Sequence, residues 1–287
     1  MPVTPTVCAV VVTRDRRELL RECLAALCSQ TRALDRILVV DNAGSDGSRG
    51  MLESDFPDAD VVALSANTGP AGGFHEGLKS AHRAGFDWIW LLHDDSVAAP
   101  SALQCLLEAT TAVAALPTPA VVASKVVSGD GELDPGSVPR PYYKHVEAAI
   151  ESYGHGLQPI RSARSVSLLV RGSAVDRHGL PDKRYFGWND DIEYTARILR
   201  SETGYLAPRS VVCHRIRPGQ PGPASSEAFC LHVRNTLFML RGHAWGRGEK
   251  VRLALIVLSS VASHLRRDRL RPRSVRLVLG AVREGLV

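Results

Sequence analysis

Two pairs of adjacent acids carry the strongest hint of chemistry in this chain. The first, Asp94-Asp95, is preceded by His93 and by the apolar run Trp88-Ile89-Trp90-Leu91-Leu92. Five apolar residues in a row read as a strand buried on both faces, which places the acids at its carboxyl end. Neighbouring carboxylates there repel each other and lose hydration, so a fold keeps them when a cation or hydrogen-bond donors compensate. A divalent metal is the natural compensator; the alternative is a loop that caps the next helix. The second pair, Asp190-Asp191, lies in Trp188-Asn189-Asp190-Asp191-Ile192-Glu193. A lone Asp at a helix start makes a poor base because the helix dipole stabilises its anion, whereas a second Asp beside it acts the other way. The competing reading is a capping box, with Asn189 or Asp190 as cap and Glu193 in support.

These acids need a scaffold, and hydrophobic periodicity supplies one. Val7 to Val12 is a β-branched run that ends in Thr13-Arg14-Asp15, a buried strand leading into a loop. Leu19, Leu20, Cys23, Leu24, Leu27 and Cys28 recur at helical steps. Ile37 to Val40 is a second strand that ends in the polar loop Asp41 to Gly47, and Val61 to Leu64 is a third. A helix follows to about Gly85, then the Trp88 strand, then a helix from near Pro100 to Thr111. Strand and helix in alternation predict an open α/β sheet, whose ligands bind outside the carboxyl ends of the strands. Later strands are expected over 120–127, 165–170 and 211–213, with a helix over 189–200 stopped by Gly204. The Pro- and Gly-containing stretch 128–159 is long enough to cover a substrate. Residues 1–226 therefore read as one α/β domain, with halves at about 1–115 and 116–226, and 227–287 as a basic helical extension.

Other polar positions fall at the same edge. Asp41 can accept hydrogen bonds from a nucleobase or ribose, although Asp41-Asn42-Ala43-Gly44 is also an ordinary Asx-turn sequence. The stretch Asn67-Thr68-Gly69-Pro70-Ala71-Gly72-Gly73-Phe74 lets backbone approach a ligand closely at a helix start, or forms a tight structural turn. It lacks the dinucleotide-binding spacing.

Composition narrows the classes. With 45% hydrophobic and 23% charged residues the 287-residue chain has the make-up of a globular protein. Its charge is uneven: from Arg241 onward eleven cations face three acids, a net +8, so the preceding residues carry −3 of the total +5. An anionic partner is to be sought at that end. The cluster Arg266, Arg267, Arg269, Arg271 and Arg273 has no interleaved aromatics, which argues against nucleic acid. Beside the apolar run Leu253 to Ala262 it suits an anionic membrane surface or a polyprenyl diphosphate, or simply a solvated face. That run falls short of the roughly 20 residues that span a bilayer, and Val7 to Val12 is too short for a leader peptide. The six cysteines show no CxxC pair and read as reduced, which favours the cytoplasm.

Taken in order, the motifs resemble family 2 glycosyltransferases of the GT-A fold. They are Val10 to Arg14, Val39 to Asn42 with Ser45-Asp46-Gly47, Asn67 to Phe74, the Trp-x-Trp-x-x-x-Asp-Asp run and Trp188 to Glu193. The likeness covers roughly residues 7–240 and is greatest to bacterial galactofuranosyl- and rhamnosyltransferases. It implies a Rossmann-like, mostly parallel sheet flanked by helices, and inverting transfer from a UDP- or dTDP-linked sugar to a hydroxyl. Thr13, Arg14, Asp41 and Asn42 are then expected at the nucleoside, and Asn67, Gly72, Gly73, Asp94 and Trp188 around the diphosphate and sugar. Asp95 matches the last position of the family's Asp-x-Asp metal motif, Asp94 the middle one, and His93 replaces the first Asp. His214 stands where relatives often place a metal-binding His. An imidazole suits Mn²⁺ better than Mg²⁺, and either ion remains open. Asp191 matches the family's base, with Asp190 as the fallback. Arg234, in His232-Val233-Arg234-Asn235, matches an Arg-Asn signature that could pair with a phosphate or an anionic acceptor.

The implied partners are a nucleoside-diphosphate sugar and an acceptor, either a polyprenyl-linked glycan or a small natural product. A cytoplasmic protein that touches the inner face of the plasma membrane through its basic end fits this reading, and nothing in the sequence excludes a homo-oligomer. Two alternatives differ in kind. A nucleotidyltransferase would carry a Gly-rich basic loop after the first strand, and Thr13-Arg14-Asp15 has no glycine. A degenerate, non-catalytic sugar-nucleotide binder or scaffold has His93 as its support.

Overall fold

The computed structural model describes residues 4–112, 118–142, 146–215, 226–267, 269 and 271–286. The first half alternates β1 (Val7–Thr13), α1 (Arg17–Cys28), β2 (Arg36–Asp41), α2 (Ser48–Asp55), β3 (Asp60–Ala63), α3 (Gly69–Arg83) and β4 (Trp88–His93). Then come β5 (Ser96–Ala98), α4 (Ala102–Thr111), β6 (Val121–Val127), β7 (Arg140–Pro141), α5 (Val146–Gly154), β8 (Gln158–Ser162), β9 (Ser167–Arg171) and α6 (Gly172–His178). A 3-10 turn (Lys183–Tyr185), α7 (Asp190–Ile198) and β10 (Gly204–His214) complete the sheet region, and α8 (Ser226–Arg241), α9 (Arg247–Arg267) and α10 (Pro272–Leu286) follow.

One sheet runs in the order β3-β2-β1-β4-β9-β6-β10-β8-β7, with β5 paired to β10. It is parallel from β3 to β4, as alternating strand and helix require, and mixed beyond. β9 enters antiparallel between β4 and β6. That reversal matters for the site. Leu92 pairs with Ser167, so the residues just before β9 lie beside the end of β4. The antiparallel β5–β10 pair sets His214 opposite Ser96 and so next to Asp95.

β4 is buried on both faces, as its apolar run requires. Trp88, Trp90 and Leu92 join the core under α1 and α4, while Ile89 and Leu91 join the one under α3 and α7. Each large side chain buried this way contributes roughly 1.5–3 kcal/mol. α3 lies unusually close to the sheet. A Cβ on Gly73 would stand 2.4 Å from Val12, and one on Gly77 would stand 2.4 Å from Val10. The glycines of this helix thus serve helix–sheet packing.

Several elements depart from the sequence reading. Gly204 does not stop α7, which ends at Ile198; it opens β10, where a Cβ would stand 2.6 Å from Leu199. The short strand at 211–213 is the end of this 11-residue strand. The stretch 128–159 contains β7 and α5, and most of the Pro- and Gly-rich loop before α8 lies outside the described residues. No helix among the described residues is long and apolar enough to cross a membrane.

Candidate functional site

The carboxyl edge of β1 and β4 gathers a compact polar cluster. Asp94 and Asp95 are both 3% exposed. Neither caps a helix. Thr13 donates its hydroxyl to Asp94 Oδ2 at 2.8 Å, and Arg16 Nη1 donates to Asp94 Oδ1 at 3.0 Å and to Asp95 Oδ2 at 2.9 Å. Arg16, rather than a metal alone, therefore compensates the paired acids. Sequence reasoning passed over it in favour of Arg14, which is exposed and lies 3.6 Å from Asp15. The available signal was position: Arg16 sits in the loop after β1, whose end lies alongside that of β4.

Asp95 Oδ1 faces the other way. It is buried and has no hydrogen bond, and it lies 3.3 Å from His214 Nε2 and 4.0 Å from His93 Nδ1. Each imidazole is aimed by its second nitrogen. His93 Nε2 and Ser165 Oγ share a hydrogen bond at 3.1 Å, and His214 Nδ1 pairs with Asp134 Oδ2 at 3.0 Å. Asp134 is itself fixed by Ser137 Oγ at 2.6 Å and the Gly136 amide at 3.0 Å. Metal-binding histidines are oriented in this manner. The ligand atoms of His93, Asp95 and His214 all lie within 4.8 Å of one another. Two imidazoles and an orphaned carboxylate oxygen fit a divalent transition ion such as Mn²⁺.

Electrostatics separates the two acids. Burial would raise Asp95, but the close approach of His214 and the charges of His93, His214 and Arg16 outweigh it and hold the carboxyl at about 2. Burial raises Asp94 to about 6; Arg16 offsets part of this and Asp95 adds to it. His93 is lowered, chiefly by burial. For His214 the opposing burial is outweighed by the nearby Asp95 carboxylate and the bond to Asp134, so it is raised. Asp95 is thus the anion that faces the imidazoles.

The second acid pair lies next to the first. Ser165, which bonds His93 through its hydroxyl, donates its backbone N–H to Asp191 Oδ2 at 3.1 Å. Asp191 Oδ1 also accepts the Ile192 N–H at 2.7 Å, and Asp191 is half-buried. Asp190 is 6% exposed, and burial followed by the neighbouring Asp191 raises it to about 8. No capping box forms, because the Asn189 side chain makes no cap bond and Glu193 pairs with Arg197.

The sign of the Asp190 shift makes a prediction. An unfolded Asp ionises near ~4. The folded form holds its proton to higher pH, so stability is lost as pH rises from there through about 8. Asp190→Asn should be more stable than the parent at pH 8, by on the order of 1–4 kcal/mol, with the gap closing towards pH ~4. Paired thermal melts across that range measure it, and a pH-independent gap would contradict it.

The turn that presents these acids is strained: Phe186, Trp188 and Asn189 all have positive φ, at 61°, 65° and 66°. Asn235, fully buried, holds it by donating Nδ2 to the carbonyls of Tyr185 (3.1 Å), Gly187 (2.7 Å) and Trp188 (2.7 Å). Arg234 donates Nη2 to the Tyr185 carbonyl at 2.7 Å and Nε to Asn235 Oδ1 at 3.0 Å. Arg234 thus braces this turn rather than standing free for a phosphate. The Arg-Asn motif points to Arg234, and the structure adds Asn235 as the residue with most bonds to the turn. From the other side, Ala71 N–H donates to the Phe186 carbonyl at 3.0 Å, and a Cβ on Gly69 would overlap that oxygen.

The remaining expected residues divide. Asp41 is buried, forms the Asx-type bond to the Gly44 N–H at 2.8 Å and accepts from Arg49 Nε. Asn42 spends both ends of its amide on Gly69 O (2.8 Å) and Thr68 N (2.9 Å), tying β2 to α3. Gly72 and Gly73 are buried, and the space a Cβ would need is filled by Thr68 and Val12. Asn67 is exposed and Trp188 half-buried. A surface cleft of about 500 Å³ opens beside Asp87 and Trp88 at the start of β4, away from this cluster.

Comparison with known proteins agrees with this arrangement. The profile of "Glycosyl transferase family 2" matches residues 8–158. The chain is 34% identical over 211 residues to galactofuranosyltransferase GlfT1 of Mycolicibacterium smegmatis, covering 70% of this chain and 68% of that one. It is 25% identical over 314 residues to N-acetylglucosaminyl-diphospho-decaprenol L-rhamnosyltransferase of Mycobacterium tuberculosis, covering 97% and 99%. Among solved structures, S. aureus TarS 1-349 in complex with UDP-GlcNAc superposes with a TM-score of 0.67 at 13% identity, over 98% of this chain and 80% of that one. GalNAc-T7 with UDP, GalNAc and Mn²⁺ gives 0.61 at 12% identity, over 79% and 48%. The sheet, the clustered acids and these matches converge: the chain has the GT-A fold and belongs to glycosyl transferase family 2.

Proposed function

We propose that this glycosyltransferase is metal-dependent and inverting, and that it moves a sugar from a UDP- or dTDP-linked donor to a hydroxyl of a polyprenyl-linked envelope glycan. The observation that carries the reading is the juxtaposition at the sheet edge. His93, Asp95 and His214 converge, and Ser165 connects His93 to Asp191 through two bonds of 3.1 Å. Relatives named for galactofuranosyl and rhamnosyl transfer, one of them on a diphospho-decaprenol acceptor, support the donor and acceptor classes.

His93, Asp95 and His214 would hold Mn²⁺ or Mg²⁺. When bound, the ion neutralises charge that builds on the departing diphosphate. Arg16 adds a fixed cation next to it. Thr13 keeps Asp94 oriented, and the loops at Arg14 and Asp41 frame the nucleoside side. Asp191 takes the acceptor proton as the hydroxyl attacks the anomeric carbon opposite the leaving group. Its accessibility favours it over the buried Asp190. The two amide N–H groups that hold it fix its direction.

UDP- and dTDP-sugars incubated with Mn²⁺ should release UDP or dTDP, faster with a polyprenyl-linked acceptor. No release from any donor with either metal would contradict the proposal and favour a non-catalytic binder. In the same assay Asp134→Asn, which loosens His214, should raise the Mn²⁺ concentration for half-activity roughly 10–100-fold. An unchanged metal requirement would remove His214 from the ligand set.

The C-terminal helices fit a peripheral position at an anionic membrane. Val251, Leu255 and Leu258 form an exposed apolar stripe on α9, and Leu279 and Leu286 are exposed on α10 among its arginines.

A further inference from the structure

A second cavity, about 200 Å³, lies between the start of α7, α8 and α9, with β7 and β8 at its side. Its inner wall is Thr236, Met239 and Trp245, all buried, and its outer wall includes Ile192, Leu253 and Ile256. Arg140 is the one permanently charged residue among its eleven lining residues, and no carboxylate lines it. The Arg140 guanidinium lies over the Trp245 ring at 5.4 Å; Glu249, which is bonded to Arg161, feels its charge but does not pair with it within 4 Å. The cavity is smaller than the roughly 300–1,000 Å³ that encloses a drug-sized ligand, so it suits one end of a longer molecule.

Two features place it in the reaction. Asn189 and Ile192 line it and flank the acid pair at the start of α7. Ser162, also in its wall, ends the strand that runs into Ser165, the residue bonded to Asp191. At the other end, Ile256 both lines the cavity and is 48% exposed on α9, beside the apolar stripe of Val251, Leu255 and Leu258. An apolar trough with a single cation in its lining therefore runs from near Asp191 to an exposed apolar helix face.

We infer that this cavity is the subsite for the lipid end of the acceptor. It seats the first apolar units of an isoprenoid chain, with Arg140 against the adjoining diphosphate and the rest of the chain leaving along α9. Charge complementarity selects the anionic head, and continuity with the exposed stripe selects a long apolar tail. The inference rests on the proposed acceptor class, and binding can be measured apart from transfer.

The test is calorimetric titration of the full chain with farnesyl diphosphate, farnesol and inorganic pyrophosphate, in EDTA so that no metal recruits the diphosphate to the donor site. Farnesyl diphosphate should bind at least tenfold more tightly than either fragment. Ile256→Asp, at an exposed position that tolerates a polar side chain, and Arg140→Glu should each weaken it at least tenfold. Equal affinity for pyrophosphate, or variants that bind farnesyl diphosphate as the parent does, would overturn the assignment. Competition between farnesyl diphosphate and UDP would also overturn it. A parallel titration of the parent with UDP and with dTDP, each in Mn²⁺, reports on the donor site. Absence of binding by both, with farnesyl diphosphate still bound, would count against the proposed donor site and leave the lipid subsite standing.

Discussion

Asp191→Asn is expected to lower turnover by about 10²–10⁴-fold, the range that general-base catalysis contributes, while UDP affinity in Mn²⁺ stays within a few-fold of the parent. The chemical reason is that an amide cannot take the acceptor proton. The structural reason for expecting a folded variant is that an Asn carbonyl oxygen can still accept one of the two N–H bonds, from Ser165 or Ile192, that hold Asp191. One lost bond at a half-buried position costs about 0.5–1.5 kcal/mol, too little to unfold the domain. Unchanged turnover would remove Asp191 as the base and return the role to Asp190.

Asn235→Leu should be the most damaging change outside the acids. Leucine is close to asparagine in size but donates nothing. The carbonyls of Tyr185, Gly187 and Trp188 would lose the bonds that Asn235 now makes; Tyr185 keeps its bond from Arg234, so the loss falls on Gly187 and Trp188. Buried unsatisfied polar groups cost about 1–3 kcal/mol each, and partial relaxation brings the expected loss to roughly 2–5 kcal/mol. The positive-φ turn at 186–189 is held against its own strain by these bonds and by the Ala71 N–H. Releasing it should shift Asp191 and cut turnover of the folded fraction on the order of 10–100-fold. Urea unfolding and turnover at low temperature measure both. A variant as stable and as active as the parent would show that the turn holds its shape unaided.

The fold was legible because its first half obeys simple rules. Short runs rich in β-branched or aromatic residues, such as Val7 to Val12 and Trp88 to Leu92, favour buried strands, and the helix between β1 and β2 makes their pairing parallel. The acid pairs stood out because charged neighbours at the end of such a strand need compensation. What periodicity could not show was which residues supply it. Arg16 lies 78 residues from Asp94, and Asp134 lies 80 residues from His214; each pair meets only through sheet register.

The C-terminal region was the hardest to read. Arg234 resembled a phosphate ligand by residue type, yet its guanidinium faces backbone carbonyls of the turn before α7. Gly72 and Gly73 looked like ligand-facing backbone, but a Cβ on Gly72 would meet the Thr68 side chain and one on Gly73 would meet Val12 of β1. A glycine or an arginine carries no label of which neighbour it serves until the layers are stacked. Asp41 shows both readings at once: it makes the turn bond to Gly44 and still sits at the carboxyl edge of β2.

The most direct test of a metal-dependent donor site is the affinity of the parent chain for UDP and dTDP, titrated with Mn²⁺ and again with EDTA, and repeated for Asp95→Asn. At least one of the two nucleotides should bind in Mn²⁺, should weaken at least tenfold in EDTA, and should show little response to Mn²⁺ in the variant. Equal affinity with and without metal, or an Asp95→Asn variant with the full Mn²⁺ effect, would contradict a metal site at His93, Asp95 and His214.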